Sequence, residues 1–117
     1  MKRRVLFVED EPSIRSTYER VFTSQYQMAF AASGTEALRR LENFKPDVLV
    51  LDMRLPDTDG VALLQEIRGS HPGLAVIITT AYVSQEPLID VLNLGHSGYL
   101  VKPFKMEELA ARIDALG

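Results

Sequence analysis

Short apolar runs alternate with longer amphipathic segments along this chain. The short runs are rich in β-branched residues, whereas the apolar residues of the longer segments recur at helical spacing. This alternation is typical of strand–helix units, and strands apolar on both faces indicate a parallel sheet covered by helices on both sides. The predicted strands are residues 5–8, 28–31, 48–51, 75–79 and 99–101. The predicted helices cover, approximately, residues 12–22, 35–44, 61–68, 85–94 and 105–116.

Successive strand–helix units of this kind predict an α/β fold built as a doubly wound, five-stranded parallel sheet. Right-handed crossover connections leave few strand orders open, and we predict the order 2-1-3-4-5 of a flavodoxin-like (βα)5 fold. In such sheets, ligands bind beyond the carboxyl ends of the strands, between the first and third strands, where the winding direction reverses. The residues that directly follow the strands are therefore the candidates for a functional site.

The length and composition of the chain restrict its class. Its 117 residues predict a single domain over residues 1–117, and 46% hydrophobic with 25% charged residues is typical of soluble globular proteins. No apolar run approaches the roughly 20 residues that cross a bilayer. A net charge of −3 gives no general attraction to nucleic acid, and the absence of cysteine excludes disulfides and thiolate metal sites. We therefore expect a cytoplasmic protein that binds neither a membrane nor nucleic acid.

Polar residues stand at the ends of four predicted strands. They are Glu9, Asp10 and Glu11 after the first strand, Asp52 after the third, Thr80 after the fourth and Lys102 after the fifth. Because parallel strands end at one edge of the sheet, these side chains should meet. Clustered carboxylates raise one another's pKa unless a cation intervenes, and oxygen ligands without cysteine or histidine favour Mg²⁺ over Ca²⁺ and zinc. An aspartate beside Mg²⁺ could attack phosphorus while an ammonium and a hydroxyl hold the phosphoryl oxygens.

Four segments, in this order and spacing, resemble the motifs of response-regulator (CheY-like) receiver domains. They are VEDE at residues 8–11, LDMRLPDTDG at 51–60, TA at 80–81 and GYLVKPF at 98–104. The resemblance covers essentially the whole chain. It implies a phosphoprotein of a two-component system that takes a phosphoryl group, with the help of Mg²⁺, from a sensor histidine kinase or a phosphotransfer protein. Such a domain catalyses only its own phosphorylation and dephosphorylation and is not a dedicated enzyme.

The resemblance also implies a role for each matching residue at the metal and acceptor positions. Asp52 corresponds to the phosphoacceptor and to a metal ligand, and Asp10 to the direct metal ligand. Glu9 corresponds to the second acidic position, which usually acts through metal-bound water. Arg54 would lend its backbone carbonyl to the metal.

Other matching residues correspond to the switch. Thr80 matches the hydroxyl residue that moves onto the phosphoryl group, Lys102 matches its ion-pair partner, and Tyr99 matches the aromatic residue that rotates inward. The resemblance further implies a cis peptide bond at Lys102–Pro103. The surface of the fourth helix, fifth strand and fifth helix should change with phosphorylation.

Two further positions bear on the lifetime of the phosphoryl group. In the family, the residues two after the acceptor and two after the threonine flank the approach of water, and here they are Arg54 and Tyr82. Both side chains are large, and neither is a carboxylate or carboxamide that could orient an attacking water. We therefore expect slow self-dephosphorylation, unless both side chains point into solvent and exert no control.

Alternatives to this interpretation remain. Residues 9–11 could simply place acids at a helix N-terminus, and Tyr99 could be an ordinary core aromatic. A flavin carrier is disfavoured because those acids would repel a phosphate, and a dehalogenase-like phosphatase would need a second aspartate and a threonine where Pro12 and Ile14 stand. A degenerate receiver that binds proteins without phosphorylation is the closest rival. We do not expect His71 or His96 to carry a phosphoryl group, because they lie away from the strand ends.

The sequence indicates less about the binding partners of the chain than about its site. OmpR-like receivers form homodimers through the fourth helix, fifth strand and fifth helix, which are joined by charged pairs. In this chain, Glu108 and Arg112 resemble one half of those pairs. The other half is missing, because Ser97–Gly98 and Leu88 replace the expected charges. An effector domain would lie outside these 117 residues. The surface of the first helix, with Ile14, Arg15, Thr17 and Tyr18, is expected to select the kinase.

Overall fold

A computed structural model describes residues 2–81 and 95–116. The strands are β1 (Arg3–Val8), β2 (Tyr26–Ala31), β3 (Val48–Asp52), β4 (Ala75–Thr80) and β5 (Gly98–Val101). All neighbouring strands pair in parallel, in the order β2-β1-β3-β4-β5, so the predicted fold and strand order are confirmed. The helices are α1 (Pro12–Phe22), α2 (Gly34–Phe44), α3 (Gly60–Ser70) and a C-terminal helix (Met106–Asp114). Within the described ranges, no helix is both long and apolar enough to span a bilayer.

The observed boundaries differ from the predicted ones mainly at polar strand ends. β1 begins at Arg3 and β2 at Tyr26, because Arg3 pairs with Tyr26 and Arg4 with Gln27 although the arginines and the glutamine interrupt the apolar pattern. The C-terminal helix is shorter than predicted: Lys105 has extended backbone angles, and its N–H donates to Glu108 Oε1 at 3.2 Å. The predicted fourth helix, residues 85–94, lies outside the described residues.

The sheet has a core on each face, and the alternation of side chains decides which residues reach the functional edge. Phe7 and Val50 pack toward α1 and the C-terminal helix, whereas Leu6 and Leu49 pack toward α2 and α3. Continuing the two-residue period beyond Phe7 and Val50 places Glu9 and Asp52 on the α1 side. The ring of Tyr18 stacks on Phe7 with centroids 4.7 Å apart and is 1% exposed. The expectation that Tyr18 belongs to the surface of the first helix is therefore wrong.

Polar side chains fix the starts of α2 and α3. Ser33 Oγ accepts from the N–H of Glu36 at 3.2 Å, and Asp59 Oδ1 accepts from the N–H of Val61 at 3.2 Å. Asp57, from the loop after β3, accepts from the N–H groups of Gly34 and Thr35 at 2.8 and 3.0 Å. These backbone donors lower the pKa of the Asp57 carboxyl group. The loop that follows β3 is thereby tied to the N-terminus of α2.

At the amino ends of the strands, Arg68 connects the segments that precede β4 and β5. Its guanidinium donates to the carbonyl of Leu74 at 2.5 Å and to that of Gly95 at 3.3 Å. Burial lowers the pKa of Arg68. The N–H of Ser97 also donates to the carbonyl of Val76 at 2.6 Å. The amino ends of the two strands are thus held together by side-chain and backbone bonds.

Two glycines of α3 provide a matched test of packing. A Cβ atom at Gly60 would lie 2.5 Å from the Cα and carbonyl oxygen of Met53, whereas one at Gly69 would meet nothing within 4 Å. We expect Gly60→Ala to lower the free energy of unfolding by about 2 kcal/mol, because the backbone at Met53 would have to shift. Gly69→Ala should raise it by about 0.5 kcal/mol through better helix propensity. Urea unfolding of both variants measures this difference, and equal effects would contradict the close approach at Gly60.

Candidate functional site

Three carboxylates meet at the carboxyl edge of the sheet. Glu9, Asp10 and Asp52 each offer an oxygen, and these oxygens all lie within 4.8 Å of one another. They converge because β1 and β3 are neighbours whose ends coincide, with Val8 paired to Leu51. Glu9 is 1% and Asp52 3% exposed, while Asp10 is the most exposed of the three. The structure therefore brings together the three acids that the sequence assigned to one site.

Lys102 joins this cluster from the end of β5. Its Nζ lies 2.8 Å from Glu9 Oε1 and 3.1 Å from Asp52 Oδ2, and its side chain is 22% exposed. The backbone N–H of Lys102 donates to the carbonyl of Thr80 at 2.7 Å, which continues the pairing of β4 with β5. The Lys102–Pro103 peptide bond is cis, as predicted. The ammonium thus balances part of the charge of two buried carboxylates.

Burial and charge set the protonation of this cluster. The pKa of Glu9 is raised to about 7, first by burial and then by Asp52, while Lys102 opposes the rise. Burial alone would lower the pKa of Lys102, but its bonds to Glu9 and the charges of Glu9 and Asp52 outweigh that effect and raise it. Lys102 therefore stays charged, while the carboxylates keep an excess of negative charge that favours a further cation.

The donor set fits a hard divalent cation such as Mg²⁺. Asp10 and Asp52 of this cluster border a cavity of about 310 Å³, which is also lined by Glu11, Arg54, Ala81 and Lys102. Hard cations prefer oxygen ligands, and Mg²⁺ keeps several waters, for which this open cavity has room. Neither His71 nor His96 belongs to the acidic cluster. The residues present fit Mg²⁺ with coordination positions left for water or a phosphoryl oxygen.

Arg54 lies at the mouth of this cavity. Its backbone N–H donates to Asp52 Oδ1 at 3.1 Å, and an isolated antiparallel bridge to Asp59 fixes the turn. Its side chain is exposed. The assignment of the Arg54 carbonyl to the metal stays a prediction. Tyr82, the other residue predicted to affect dephosphorylation, lies outside the described residues.

Thr80 and Tyr99 lie on one face of the sheet. Thr80 ends β4 and is 1% exposed, and Tyr99 pairs in register with Ile78 on the same strand, two residues before Thr80. Tyr99 is half-buried against the core on the α2 and α3 side, with its ring centroid 5.8 Å from that of His96. This placement suits either an ordinary core aromatic or an aromatic switch.

One feature near the site was not predicted from the sequence. Arg15 Nη1 donates to the carbonyl oxygens of both Glu9 and Asp10, at 2.9 Å each. Arg15 stands five residues after Asp10, one turn into α1, and its sequence pattern is that of any helical surface arginine. The carbonyls of Glu9 and Asp10 point toward Arg15 because of the path of the loop between β1 and α1, which the sequence pattern does not show.

Known proteins resemble this chain in both sequence and fold. The chain matches the response regulator receiver domain over residues 5–114. It is 35% identical over 117 residues to the transcriptional regulatory protein KdpE of Staphylococcus aureus, covering 99% of this chain and 50% of that protein. The CheY-like receiver domain protein of Methanospirillum hungatei has a TM-score of 0.88 and 29% identity, with 98% of this chain and 93% of that chain covered.

A further solved structure contains ligands. Response regulator TrrA of Thermotoga maritima, solved in complex with Mg(2+)-BeF, has a TM-score of 0.85 and 31% identity, with 100% of both chains covered. The chain spans about half the length of the curated relatives that it matches. The acidic cluster, the lysine beside it and the strand order agree with this likeness. The chain belongs to the response-regulator receiver domain family of two-component systems.

Proposed function

We propose that this chain is a phosphorylation switch in which Asp52 accepts a phosphoryl group from the phosphohistidine of a sensor histidine kinase or phosphotransfer protein. The observation that carries the proposal is the buried Asp52 carboxylate, held by Lys102 at 3.1 Å and placed beside Glu9 and Asp10 at an open cavity. With this function, the chain would be a phosphoprotein located in the cytoplasm. The chain would catalyse its own modification without being a dedicated enzyme.

The contacts of Asp52 prepare it for nucleophilic attack. Oδ1 accepts from the N–H of Arg54, and Oδ2 accepts from Lys102. A carboxylate oxygen attacks phosphorus, the P–N bond breaks as the O–P bond forms, and the histidine nitrogen leaves with the electron pair. Asp10 and Asp52 would hold Mg²⁺, which would supply positive charge for the phosphoryl oxygens. Lys102 can exchange a carboxylate for a phosphoryl oxygen, and the Thr80 hydroxyl can hold another.

A groove next to Lys102 supports a docking position for the kinase. The groove has a volume of about 240 Å³, is mostly apolar, and is lined by Ile14, Thr17, Tyr18, Lys102, Pro103, Phe104 and Met106. It lies between α1 and the segment after β5, so a helix bound there would stand close to the acceptor. The partner-selecting surface would then consist of Ile14 and Thr17, with Tyr18 forming the buried floor of the groove.

The output surface is proposed to include β5, the C-terminal helix and the predicted fourth helix, which lies outside the described residues. Two charged residues of the C-terminal helix that could serve a homodimer are exposed, namely Glu108 and Arg112. Glu108 already accepts from the N–H of Lys105, which occupies one carboxylate oxygen. Leu88, the other departure from the charged-pair pattern, lies outside the described residues. An effector domain in the full-length protein would receive the signal.

Labelling tests the function directly. We expect acetyl phosphate with Mg²⁺ to add one phosphoryl group per chain, and we expect base to release it, because an acyl phosphate is base-labile. EDTA should prevent labelling, and Ca²⁺ should not replace Mg²⁺. A phosphoryl group that survives base would not be an aspartyl phosphate, and equal labelling in EDTA would exclude a role for Mg²⁺. No labelling at all would favour a receiver that binds proteins without phosphorylation.

Thr80→Ala should separate phosphorylation from switching. The variant keeps Asp52 and Lys102, so it should still accept phosphate, but it lacks the hydroxyl that distinguishes the phosphorylated conformation. Amide chemical shifts with and without beryllofluoride measure the switch. We expect large changes around Tyr99 in the parent and small ones in Thr80→Ala. Equal changes in both proteins would exclude Thr80 as the coupling residue.

The phosphoryl lifetime should be long in the parent. Arg54 and Tyr82 offer no carboxylate or carboxamide to orient water, so Arg54→Asn combined with Tyr82→Glu should accelerate decay of the label. The measurement is loss of label over time after removal of the phosphodonor. If the double variant decays no faster than the parent, other positions set the lifetime.

A further inference from the structure

The loop that carries Glu9 and Asp10 is held from two sides. On the strand side, the N–H of Glu9 donates to the carbonyl of Ala31 at 2.9 Å, and Glu9 Oε1 accepts from Lys102. On the helix side, Arg15 Nη1 donates to the carbonyls of Glu9 and Asp10, and both bonds are partly buried. The loop between the end of β1 and the start of α1 is only three residues long, so these bonds fix most of its backbone.

We propose that Arg15 is a positioning residue for Mg²⁺ binding, which rests on the proposed function. By holding the two consecutive carbonyls, it fixes the direction in which the Asp10 side chain leaves the backbone. Mg²⁺ requires near-ideal octahedral geometry and tolerates little scatter in its ligands. Partners that orient the ligands of a metal site therefore contribute to affinity without touching the metal.

Charge and positioning predict opposite results when Arg15 is removed. A guanidinium close to a cation site repels the cation, so its loss should tighten Mg²⁺ binding if charge alone matters. Loss of the two carbonyl contacts should weaken Mg²⁺ binding, because the ligands would no longer be held in place beforehand. Part of the binding free energy would then be spent on ordering them. A merely structural role would lower the melting temperature and leave Mg²⁺ affinity unchanged. The sign of the affinity change thus identifies the role.

Titration calorimetry with MgCl₂ on the full chain tests the proposal. We expect Arg15→Gln to weaken Mg²⁺ binding about tenfold. Arg15→Lys keeps a charged donor, but a compact ammonium on a flexible stem should be held less firmly against the two carbonyls than the planar guanidinium, so this variant should give an intermediate affinity. Arg20→Gln is the matched control, because Arg20 is an exposed arginine in the last turn of the same helix. Its Mg²⁺ affinity should equal that of the parent.

The possible failures are distinguishable. Unchanged or tighter Mg²⁺ binding in Arg15→Gln, with a parent that binds Mg²⁺ and is labelled, would overturn the role of Arg15 alone. A parent that neither binds Mg²⁺ nor accepts phosphate would overturn the proposed function and the role of Arg15 with it. Thermal unfolding in EDTA monitors the fold. If Arg15→Gln is unfolded, Mg²⁺ binding weaker than the parent's in a folded Arg15→Lys would support the positioning role, and parent-like binding would overturn it.

Discussion

Replacing Asp52 with asparagine is expected to abolish phosphorylation and to leave the fold intact. The amide has the shape of the carboxylate, so the buried site should still pack, and its oxygen can accept from Lys102 or from the N–H of Arg54. It lacks the ionised oxygen that attacks phosphorus, and neither His71 nor His96 belongs to the acidic cluster to replace it. Label from acetyl phosphate should fall below detection in the variant.

The matched control is Glu66→Gln, which removes one charge from an exposed position on α3. It should be labelled like the parent, and both variants should unfold cooperatively on heating. Labelling of Asp52→Asn at the parental level would show that another residue accepts the phosphoryl group. Loss of labelling in Glu66→Gln as well would mean that net charge, and not the acceptor, controls the reaction.

Replacing Lys102 with methionine is expected to destabilise the chain in a pH-dependent way. In the parent, burial raises the pKa of Glu9 from its ordinary value of 4.5 to about 7. The stability linked to protonated Glu9 is therefore fully present below pH 4.5 and is lost as the pH rises through about 7. Without Lys102, the influence that lowers this pKa disappears, and two buried carboxylates remain uncompensated at high pH.

We expect Lys102→Met to lose about 3 kcal/mol of unfolding free energy above the pKa of Glu9, because one partner of a largely buried ion pair is missing. The loss should be smaller below that pKa, where Glu9 is neutral. Adding Mg²⁺ should restore more stability to the variant than to the parent, because the metal no longer competes with an ammonium. Urea unfolding on both sides of the transition, with and without Mg²⁺, measures these differences.

Lys2→Met is the control, because Lys2 is exposed and lies before β1, away from the carboxyl edge. Its unfolding free energy should match that of the parent at both pH values. A pH-independent loss in Lys102→Met would show that the methylene packing of Lys102, and not its charge, stabilises the cluster. A smaller gain from Mg²⁺ than in the parent would argue against competition between the ammonium and the metal.

The strand order and the acidic cluster were predictable because they depend on short-range patterns. Apolar runs mark buried strands, and parallel strands end at one edge, so Asp52 and Asp10 had to approach each other. The burial of Glu9 could also have been predicted, because Glu9 continues the alternation of Val5 and Phe7 on the face of β1 that packs toward α1. Family resemblance added the roles of these residues, which physical pattern alone leaves open.

Other features depend on how loops turn, and sequence patterns carry little information about that. Arg15 and Asp57 are both polar residues of ordinary appearance, yet one holds the loop after β1 and the other caps a helix across the sheet edge. The burial of Tyr18 was missed because an aromatic residue among polar neighbours in a helix suits a surface or a core equally. Its stacking on Phe7 shows that it belongs to the core, and this contact becomes visible only in the structure.

The bonds of Arg68 have a mechanical consequence for β4 and β5. They join the segments before the two strands, and the bond from Ser97 to Val76 adds to them at the same edge. At the far edge, the N–H of Lys102 bonds to the carbonyl of Thr80. The amino ends of the pair are therefore held by side-chain bonds in addition to the backbone pairing of the two strands. Separating β5 from β4 would therefore require the loss of the Arg68 bonds as well as of the bonds between the strands.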